Sequence, residues 1–275
     1  MPSSEQLLKN PGALCNMVRR IAVAAGQITL NYFDMLELPS IGEKSDGSPV
    51  TTADRESEKF ITSSLRDLMP DVPVIAEEET AGGLAQDLSA HEYFWLVDPL
   101  DATKEFMAGG ENYTVNIGLV KKDTPVMGIV YAPALGVLYA GYGETALRWS
   151  EDTGKEKKIN VRHAPAEGLT VMSSLYHADD AAMDKFLSAF KVEKILKRAS
   201  ALKICAIAEG KADLYPRLGP TSEWDTAGAE AILRAAGGTL TDLHGKKLVY
   251  GAADRKFANP HFAAASFPWF DEETA

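Results

Sequence analysis

Apolar residues recur at helical spacing near the start of the chain. They predict a long scaffold helix that opens at Asn10 or Pro11. Its apolar positions are Leu14, Val18, Ile21, Ala25 and Ile28. A second helix is predicted to follow the N-cap residues of Thr51–Asp54 and to run to about Leu68. Between the two, the polar segment Gly42–Pro49 has the composition of a loop or a hairpin tip, and mobile loops at such positions can close over a site; this one carries Lys44 and Asp46.

Short apolar runs then predict strands. Pro73–Ala76 and Tyr93–Val97 are typical of short buried strands. Three further runs separated by turn residues predict an antiparallel meander: Tyr113–Val120, Val126–Tyr131 and Val137–Tyr142. A charged turn at Glu151–Lys158 precedes another short predicted strand, Ile159–Val161.

In the last third of the chain, strand and helix patterns alternate, which favours an α/β layer. The predicted strands are Leu169–Ser173, Val192–Leu196, Ala212–Tyr215, Thr239–Leu243 and Phe262–Ser266, and the predicted helices are Asp180–Phe190, Ala201–Glu209 and Ala227–Ala236. The polar connection His163–Gly168 is the best boundary between the two patterns. We therefore expect an N-terminal α+β domain over residues 1–165 and a C-terminal α/β domain over residues 166–275.

Composition and charge narrow the class of protein. The 275 residues carry a net charge of −11, which argues against binding a nucleic-acid polymer but not against a small phosphorylated substrate, because metal ions can supply positive charge. Cys15 and Cys205 lie in apolar helical patterns, so we expect two buried free thiols. The first residues lack the pattern of a signal peptide, and no apolar run reaches the length of a membrane span. The sequence predicts a cytoplasmic protein.

The strongest candidate for chemistry follows the apolar run at Trp95. Pro99 has no N–H, so the strand is predicted to end there in a turn that carries Asp98 and Asp101. Thr103 then stands where a helix can begin, with free N–H groups that suit an anion. A metal-assisted phosphatase needs carboxylates that bind hard cations and, next to them, a site that binds the phosphate anion. The alternative is an ordinary strand-to-helix turn with a capping aspartate.

The other acidic residues are less clear from local rules. Asp54 is a plain helix cap or a catalytic residue, and Asp225 is an N-cap by local rules. The run Glu77–Glu79 at a strand end is a solvated loop or contains a metal ligand, because adjacent acids repel unless water or a cation screens them.

Taken together, three of these motifs resemble the inositol monophosphatase superfamily in order and spacing. They are Glu77–Glu78, Asp98–Thr103 and Trp224–Gly228. Within the superfamily, the chain is most similar to bacterial 3′(2′),5′-bisphosphate nucleotidases, through the additional stretches Tyr113–Ile117, Gly128–Pro133 and Ala208–Arg217. The resemblance covers most of the chain.

This resemblance implies a layered αβαβα sandwich with the site between its two halves. It implies an enzyme that depends on Mg²⁺ and is inhibited by Li⁺. This enzyme would convert adenosine 3′,5′-bisphosphate, a by-product of sulfate activation, to AMP and phosphate. The 5′-phosphosulfate analogue of this nucleotide would be a further substrate. An inositol or sugar phosphatase and a non-catalytic nucleotide-binding sensor are the alternatives. Relatives include monomers and dimers, and some are assigned to the cytoplasmic face of the inner membrane.

The resemblance also assigns roles to residues. Two or three Mg²⁺ ions would be held by Glu77, Asp98, the carbonyl of Leu100, Asp101 and Asp225. Glu77 and Thr103 would orient the attacking water, Asp54 would polarise Thr103, and the N–H groups of Ala102 and Thr103 would hold the phosphate. The remaining substrate-binding candidates are Ser200, Lys203 and Arg217 for a second phosphate, with solvated surface charges as the alternative for each.

One position departs from the family pattern. The family usually has glycine where this chain has Ala102. A positive φ at this position would strain an alanine and weaken phosphate binding. We expect activity to survive.

Overall fold

A computed structural model describes residues 2–33, 41–43, 49–83, 88–176 and 180–270. Its helices are α1 (Ser4–Leu8), α2 (Pro11–Phe33), α3 (Thr52–Leu68), α4 (Glu77–Ala81), α5 (Thr103–Met107), α6 (Asp180–Leu187), α7 (Leu202–Ala208) and α8 (Glu223–Ala235). Its strands are β1 (Ile41–Glu43), β2 (Pro49–Thr51), β3 (Val74–Ala76), β4 (Tyr93–Asp101), β5 (Thr114–Lys121), β6 (Thr124–Ala132), β7 (Val137–Tyr142), β8 (Thr145–Ser150), β9 (Glu156–Lys158), β10 (Leu169–Ser174), β11 (Val192–Arg198), β12 (Leu214–Arg217), β13 (Thr239–Asp242) and β14 (Phe262–Ala265).

Strands β3 to β9 form a seven-stranded sheet in chain order. Only the β3–β4 pair is parallel, and the later strands form the predicted antiparallel meander, extended by β8 and β9. The predicted strand Ile159–Val161 is wrong. Ile159 donates its N–H to Ala146 in β8, but Val161 donates to Ala236 beyond the end of α8, so the segment leaves the sheet.

The second sheet has five strands in the order β11-β10-β12-β14-β13. Strand β10 is parallel to both of its neighbours, and β14 is antiparallel to both of its own. These strands and helices α6, α7 and α8 confirm the alternation predicted from the sequence, with α8 beginning four residues earlier than expected.

Helices and sheets stack in layers. Leu14 of α2 and Ile61 of α3 share a buried cluster with Trp95 and Ile117 of the first sheet. Helices α7 and α8 lie between the two sheets and share the largest cluster with both. Met183 and Leu187 of α6 cover the outer face of the second sheet. The order is the expected layered αβαβα sandwich, and within the described residues no helix is long and apolar enough to cross a membrane.

Helix α8 belongs to the second half of the chain but packs closely on the first sheet. A Cβ on Gly128 of β6 would overlap the carbonyl oxygen of Gly228 in α8, and a Cβ on Gly118 of β5 would lie 2.8 Å from the Cβ of Ala227. Glycine is required on both strands because the helix backbone approaches the sheet this closely. The contact fixes the start of α8, and therefore Asp225, against the sheet.

The predicted turn at Pro99 is also wrong, because β4 continues through it to Asp101. Asp98 pairs with Asn116 and Asp101 pairs with Thr114. Between these two pairs β4 advances three residues and β5 only two, so β4 contains a β-bulge. Pro99 lies inside this bulge, where its missing N–H interrupts no regular ladder. The bulge changes the direction of the strand at the two aspartates.

A buried hydrogen bond anchors the middle of α8. Tyr250 donates its hydroxyl to Glu230, and burial raises the pKa of Glu230 to about 7. A carboxyl group with a raised pKa stabilises the folded state below its unfolded pKa and loses that contribution as the pH rises through about 7.

We therefore expect Glu230→Gln to become more stable relative to the wild type as the pH rises from 5 to 8, by up to about 3 kcal/mol. Glutamine keeps an acceptor for Tyr250 but does not ionise. Urea unfolding at four pH values in the presence of chelator measures this difference. The exposed Glu144→Gln variant serves as control, and a stability difference for Glu230→Gln that does not change with pH would contradict the assignment.

Candidate active site

A cleft of about 420 Å³ lies where the bulge of β4, the start of α5, the turn before α7 and the start of α8 meet. Nearly all of the predicted site residues line it: Glu77, Asp98, Leu100, Asp101, Ala102, Thr103, Ser200, Lys203, Arg217 and Asp225. These residues come from both halves of the chain. The fold therefore brings together the acids and the candidate phosphate-binding cations in one cavity.

Backbone donors hold three of the acids in place. Asp98 accepts from the N–H of Leu100 at 3.0 Å, Asp101 from that of Ala201 at 2.6 Å and Asp225 from that of Ser222 at 2.8 Å. Asp225 is therefore the third residue of α8 in a capping box, with Ser222 as the N-cap. The expectation that Asp225 itself is the N-cap is wrong, because the helix begins at Glu223.

The acids repel one another inside the cleft. Burial raises the pKa of Asp225 to about 8, and the charges of Asp101 and Glu77 raise it further. Burial also raises the pKa of Asp101, against the opposing charge of Lys203. Two buried carboxylates whose pKa values are both raised mark a place with too little positive charge.

These residues fit a hard divalent cation by their chemistry. Every candidate ligand is an oxygen donor, and a cation would supply the missing positive charge. Within the described ranges, no three His, Cys, Asp or Glu side chains are already gathered into a metal site. The donors are thus present in one cleft but not drawn together around a common point.

Asp54 takes part in the cap of α3 and also contacts Thr103. Its carboxylate accepts from the backbone N–H of Thr51 at 2.8 Å, closing the capping box of α3, and from the hydroxyl of Thr103 at 3.3 Å. Asp54 is 1% exposed and lies behind Thr103 rather than on the cleft surface. The cap and the contact to Thr103 therefore coexist.

The acidic run beginning at Glu77 is not a solvated loop. It starts helix α4, and the buried carboxylate of Glu58 accepts from the N–H groups of Glu78 and Glu79 at 2.7 Å each. Glu79 also forms an ion pair with Arg66 at 2.7 Å. Of these three glutamates, only Glu77 lines the cleft.

Lys203 and Arg217 are buried in the cleft, with 6% and 7% exposure, so they are not solvated surface charges. Lys203 donates to the carbonyl of Ser200 at 2.5 Å and lies 5.3 Å from the ring centre of Tyr215. Burial lowers the pKa of Lys203 to about 8, and the charge of Asp101 opposes this. Arg217 donates from Nη2 to the carbonyl of Pro220 at 2.8 Å, and its buried Nε has no partner within the described chain.

The structure adds Tyr176, which the sequence analysis did not single out. Its hydroxyl donates to Glu105 of α5 at 2.6 Å, across 71 positions in sequence, and its side chain lines the cleft. No local pattern signals such a contact between the two halves. Lys44 and Asp46 of the predicted loop lie outside the described residues.

Ala102 has a left-handed backbone with φ of 75° and ψ of 54°. This conformation costs an L-residue with a Cβ about 1–2 kcal/mol. Ala102 immediately precedes α5, so the strain lies at the turn that presents the N–H groups of Ala102 and Thr103. The positive φ that would strain alanine at this position is therefore present.

We expect Ala102→Gly to raise the free energy of unfolding by roughly 0.5–1 kcal/mol and to leave kcat within about twofold, because glycine adopts this φ without strain. Urea unfolding and steady-state kinetics measure the two effects. Ala108→Gly, at φ −82° at the C-cap of the same short helix, is the matched control and should not raise the free energy of unfolding, because alanine is unstrained at this φ. A destabilised Ala102→Gly variant would show that the alanine is not strained.

Comparisons with known proteins find relatives over almost the whole chain. The model of the inositol monophosphatase family matches residues 14–268. The 3′(2′),5′-bisphosphate nucleotidase CysQ of Salmonella typhimurium is 40% identical over 250 residues, which cover 90% of this chain and 98% of that protein. CysQ of Escherichia coli K12 is 38% identical over 255 residues, 92% of this chain and all of that protein.

Solved structures give the same picture. CysQ from Bacteroides thetaiotaomicron, described as a bacterial member of the inositol monophosphatase family, superposes with a TM-score of 0.78 at 31% identity, covering 93% of this chain and 98% of its own. Inositol monophosphatase from Anabaena has a TM-score of 0.73 at 22% identity, covering 94% of this chain and 92% of its own. The second likeness concerns the fold alone.

Proposed function

This chain belongs to the inositol monophosphatase family, and we propose that within it the chain is a Mg²⁺-dependent 3′(2′),5′-bisphosphate nucleotidase that hydrolyses adenosine 3′,5′-bisphosphate to AMP and phosphate. The observation that carries the proposal is the buried pair Lys203 and Arg217 in the same cleft as the acids. A substrate with two phosphates needs both a site of hydrolysis and a second anion site, and the cleft offers both.

The acid half of the cleft is the proposed site of hydrolysis. Glu77, Asp98, Asp101, Asp225 and the carbonyl of Leu100 would hold two or three Mg²⁺ ions, which fits their oxygen donors and the raised pKa of Asp225. When bound, Mg²⁺ supplies the positive charge that draws a phosphate into this acidic cavity, polarises it and acidifies an attacking water.

Thr103 and Glu77 are the proposed groups that orient this water. Thr103 donates its hydroxyl proton toward Asp54 at 3.3 Å, so its oxygen lone pairs remain available to accept from the water. The Glu77 carboxylate is a second acceptor at the cleft wall. When the water donates a hydrogen bond to each of these two acceptors, its oxygen lone pair is oriented for attack on phosphorus. The N–H groups of Ala102 and Thr103 would hold the phosphate oxygens.

The basic half of the cleft would hold the phosphate that is not hydrolysed. The unpartnered Nε of Arg217 and the ammonium of Lys203 are charged donors that are already desolvated, and such donors bind phosphate strongly. The hydroxyl of Ser200 is a neutral donor at the same wall. An inositol monophosphate has no second phosphate for these groups.

Phosphate release from adenosine 3′,5′-bisphosphate and from inositol 1-phosphate, measured side by side with Mg²⁺ and with chelator, tests the proposal. We expect Mg²⁺-dependent turnover with a strong preference for the nucleotide. Preference for the inositol phosphate would retain the acid site but overturn the nucleotidase assignment. Tight nucleotide binding without turnover would instead indicate the non-catalytic sensor.

A further inference from the structure

The connection from β13 to β14 passes along the start of α8 and holds it. Glu223, the first residue of the helix, donates its N–H to the carbonyl of Phe257 at 2.7 Å. Ser222, the N-cap, forms an isolated antiparallel bridge with Ala258. The first turn of α8 carries Asp225, so this connection fixes the backbone beside a proposed metal ligand.

Asn259, the residue after this bridge, binds three residues of the cleft wall. Its backbone N–H donates to the carbonyl of Thr221 at 2.9 Å, and its side-chain amide nitrogen lies 3.2 Å from the hydroxyl of the same threonine. The amide nitrogen also lies 2.6 Å from the carbonyl oxygen of Ser222 and 3.1 Å from the hydroxyl oxygen of Thr226. All three partners line the cleft, so the partly buried Asn259 holds this wall from behind.

Two hydrogen bonds in series lead from Asn259 to Asp225. The carbonyl of Ser222 accepts from the amide of Asn259, and the N–H of Ser222 donates to Oδ2 of Asp225 at 2.8 Å. Ser222 is therefore held on one side by Asn259 and orients the carboxylate of Asp225 on the other. The direction of the second carboxylate oxygen, Oδ1, follows from the position of Ser222.

The chemistry of the partners determines which end of the Asn259 amide faces Ser222. A backbone carbonyl only accepts hydrogen bonds, so the amide nitrogen and not the amide oxygen must lie against it. Aspartate has nearly the same shape as asparagine, but it would place a charged acceptor against this carbonyl oxygen. Asn259→Asp therefore removes the bond to Ser222 with little change in the volume of the side chain.

We propose that Asn259 is a positioning residue for Asp225, which it holds through Ser222 in the orientation that binds a divalent cation. The role rests on the proposed function, because it requires Asp225 to be a metal ligand. Asn259 itself is placed behind the cleft wall and acts only through its partners. Residues that hold metal ligands in this way typically contribute roughly tenfold to hundredfold in metal affinity.

Binding of Mn²⁺ to the chain without substrate tests the proposal. Mn²⁺ takes the same oxygen ligands as Mg²⁺, and the EPR signal of the free ion measures how much is bound. We expect Asn259→Asp to raise the dissociation constant of Mn²⁺ roughly tenfold to hundredfold. Asn10→Asp is the matched control, because exposed Asn10 also donates from Nδ2 to a backbone carbonyl, that of Gln6 at 2.9 Å, and it should leave the affinity unchanged.

A double-mutant cycle with Asp225→Asn separates positioning from a general effect on the fold. In the Asp225→Asn background three acids of the cleft remain to bind the ion, but the carboxylate that Ser222 orients is gone. Adding Asn259→Asp there should change the dissociation constant by less than about twofold. An equal loss in both backgrounds would overturn the proposal, and so would an unchanged affinity of Asn259→Asp in the wild-type background.

Urea unfolding in the presence of chelator should show that the Asn259 variants are folded. If Asn259→Asp does not fold, Asn259→Ala decides, because it removes the donor without adding a charge and should raise the dissociation constant at least about threefold. An Asn259→Ala variant that binds Mn²⁺ like the wild type would overturn the role of Asn259 alone. A wild-type chain that does not bind Mn²⁺ would instead overturn the proposed acid site and this role with it.

Discussion

We expect Asp98→Asn to lower kcat by at least about a thousandfold while the protein stays folded. Asparagine has the shape of aspartate and keeps an oxygen to accept from the N–H of Leu100, so the bulge of β4 is preserved. It removes one negative charge from a site that is proposed to depend on Mg²⁺, and a bound metal contributes several kcal/mol to stabilising the charge of the transition state. Steady-state phosphate release at saturating Mg²⁺ measures the loss.

The control is Asp152→Asn, a change of the same charge at an exposed position outside the cleft, which should leave kcat unchanged. Unfolding by urea in the presence of chelator should give similar stabilities for both variants and the wild type. If Asp98→Asn retains turnover within tenfold of the wild type, Asp98 is not a metal ligand and the acid half of the cleft needs another interpretation.

The second large effect concerns the buried cations. We expect Lys203→Gln and Arg217→Gln each to raise KM for adenosine 3′,5′-bisphosphate roughly tenfold to hundredfold, because each removes a charge-assisted hydrogen bond to the second phosphate. The KM for adenosine 3′-monophosphate, which lacks that phosphate, should change at most about twofold to threefold. Parallel kinetics with the two substrates measure the difference.

Lys59→Gln, an exposed lysine outside the cleft, is the matched control and should alter neither KM. Equal increases for both nucleotides would mean that Lys203 and Arg217 act on the acids or on folding rather than on the second phosphate. Unchanged values for both would remove them from the substrate site.

The sequence could group Asp98, Asp101 and Thr103 because they are close together along the chain. Asp98, Asp101 and Thr103 lie within six positions, and the structure places all three in one cleft with Asp225. Bringing Asp225 to this cleft depends on α8 packing across the first sheet, which the alternation of strands and helices alone does not specify. Only the family resemblance joined Asp225 to the other acids.

Long-range hydrogen bonding explains what the sequence missed. Pro99 ends a strand by local rules, but a bulge against β5 accommodates it. The acids after Glu77 favour a solvated loop until Glu58, twenty positions earlier, supplies a buried acceptor for the start of α4. Tyr176 reaches Glu105 only because the segment after β10 and helix α5 lie beside the same cleft. In each case the deciding partner is distant in sequence.

The burial of Lys203 and Arg217 shows the same limit. Each is a charged residue that a sequence alone leaves open between a solvated surface and a binding role. Lys203 lies on α7 and Arg217 on β12, and both are buried where these two elements line the cleft. The structure decides that they are desolvated, and this desolvation is what makes them candidates for a phosphate.

The account rests on two phosphates being bound by different halves of one cleft, and the identity of the product tests this most directly. Chromatography or ³¹P NMR of the nucleotide released from adenosine 3′,5′-bisphosphate in the presence of Mg²⁺ distinguishes which ester is cleaved. We predict adenosine 5′-monophosphate, formed with one equivalent of phosphate and abolished by chelator. Adenosine 3′-monophosphate as the product, or release of phosphate that chelator does not abolish, would contradict the account.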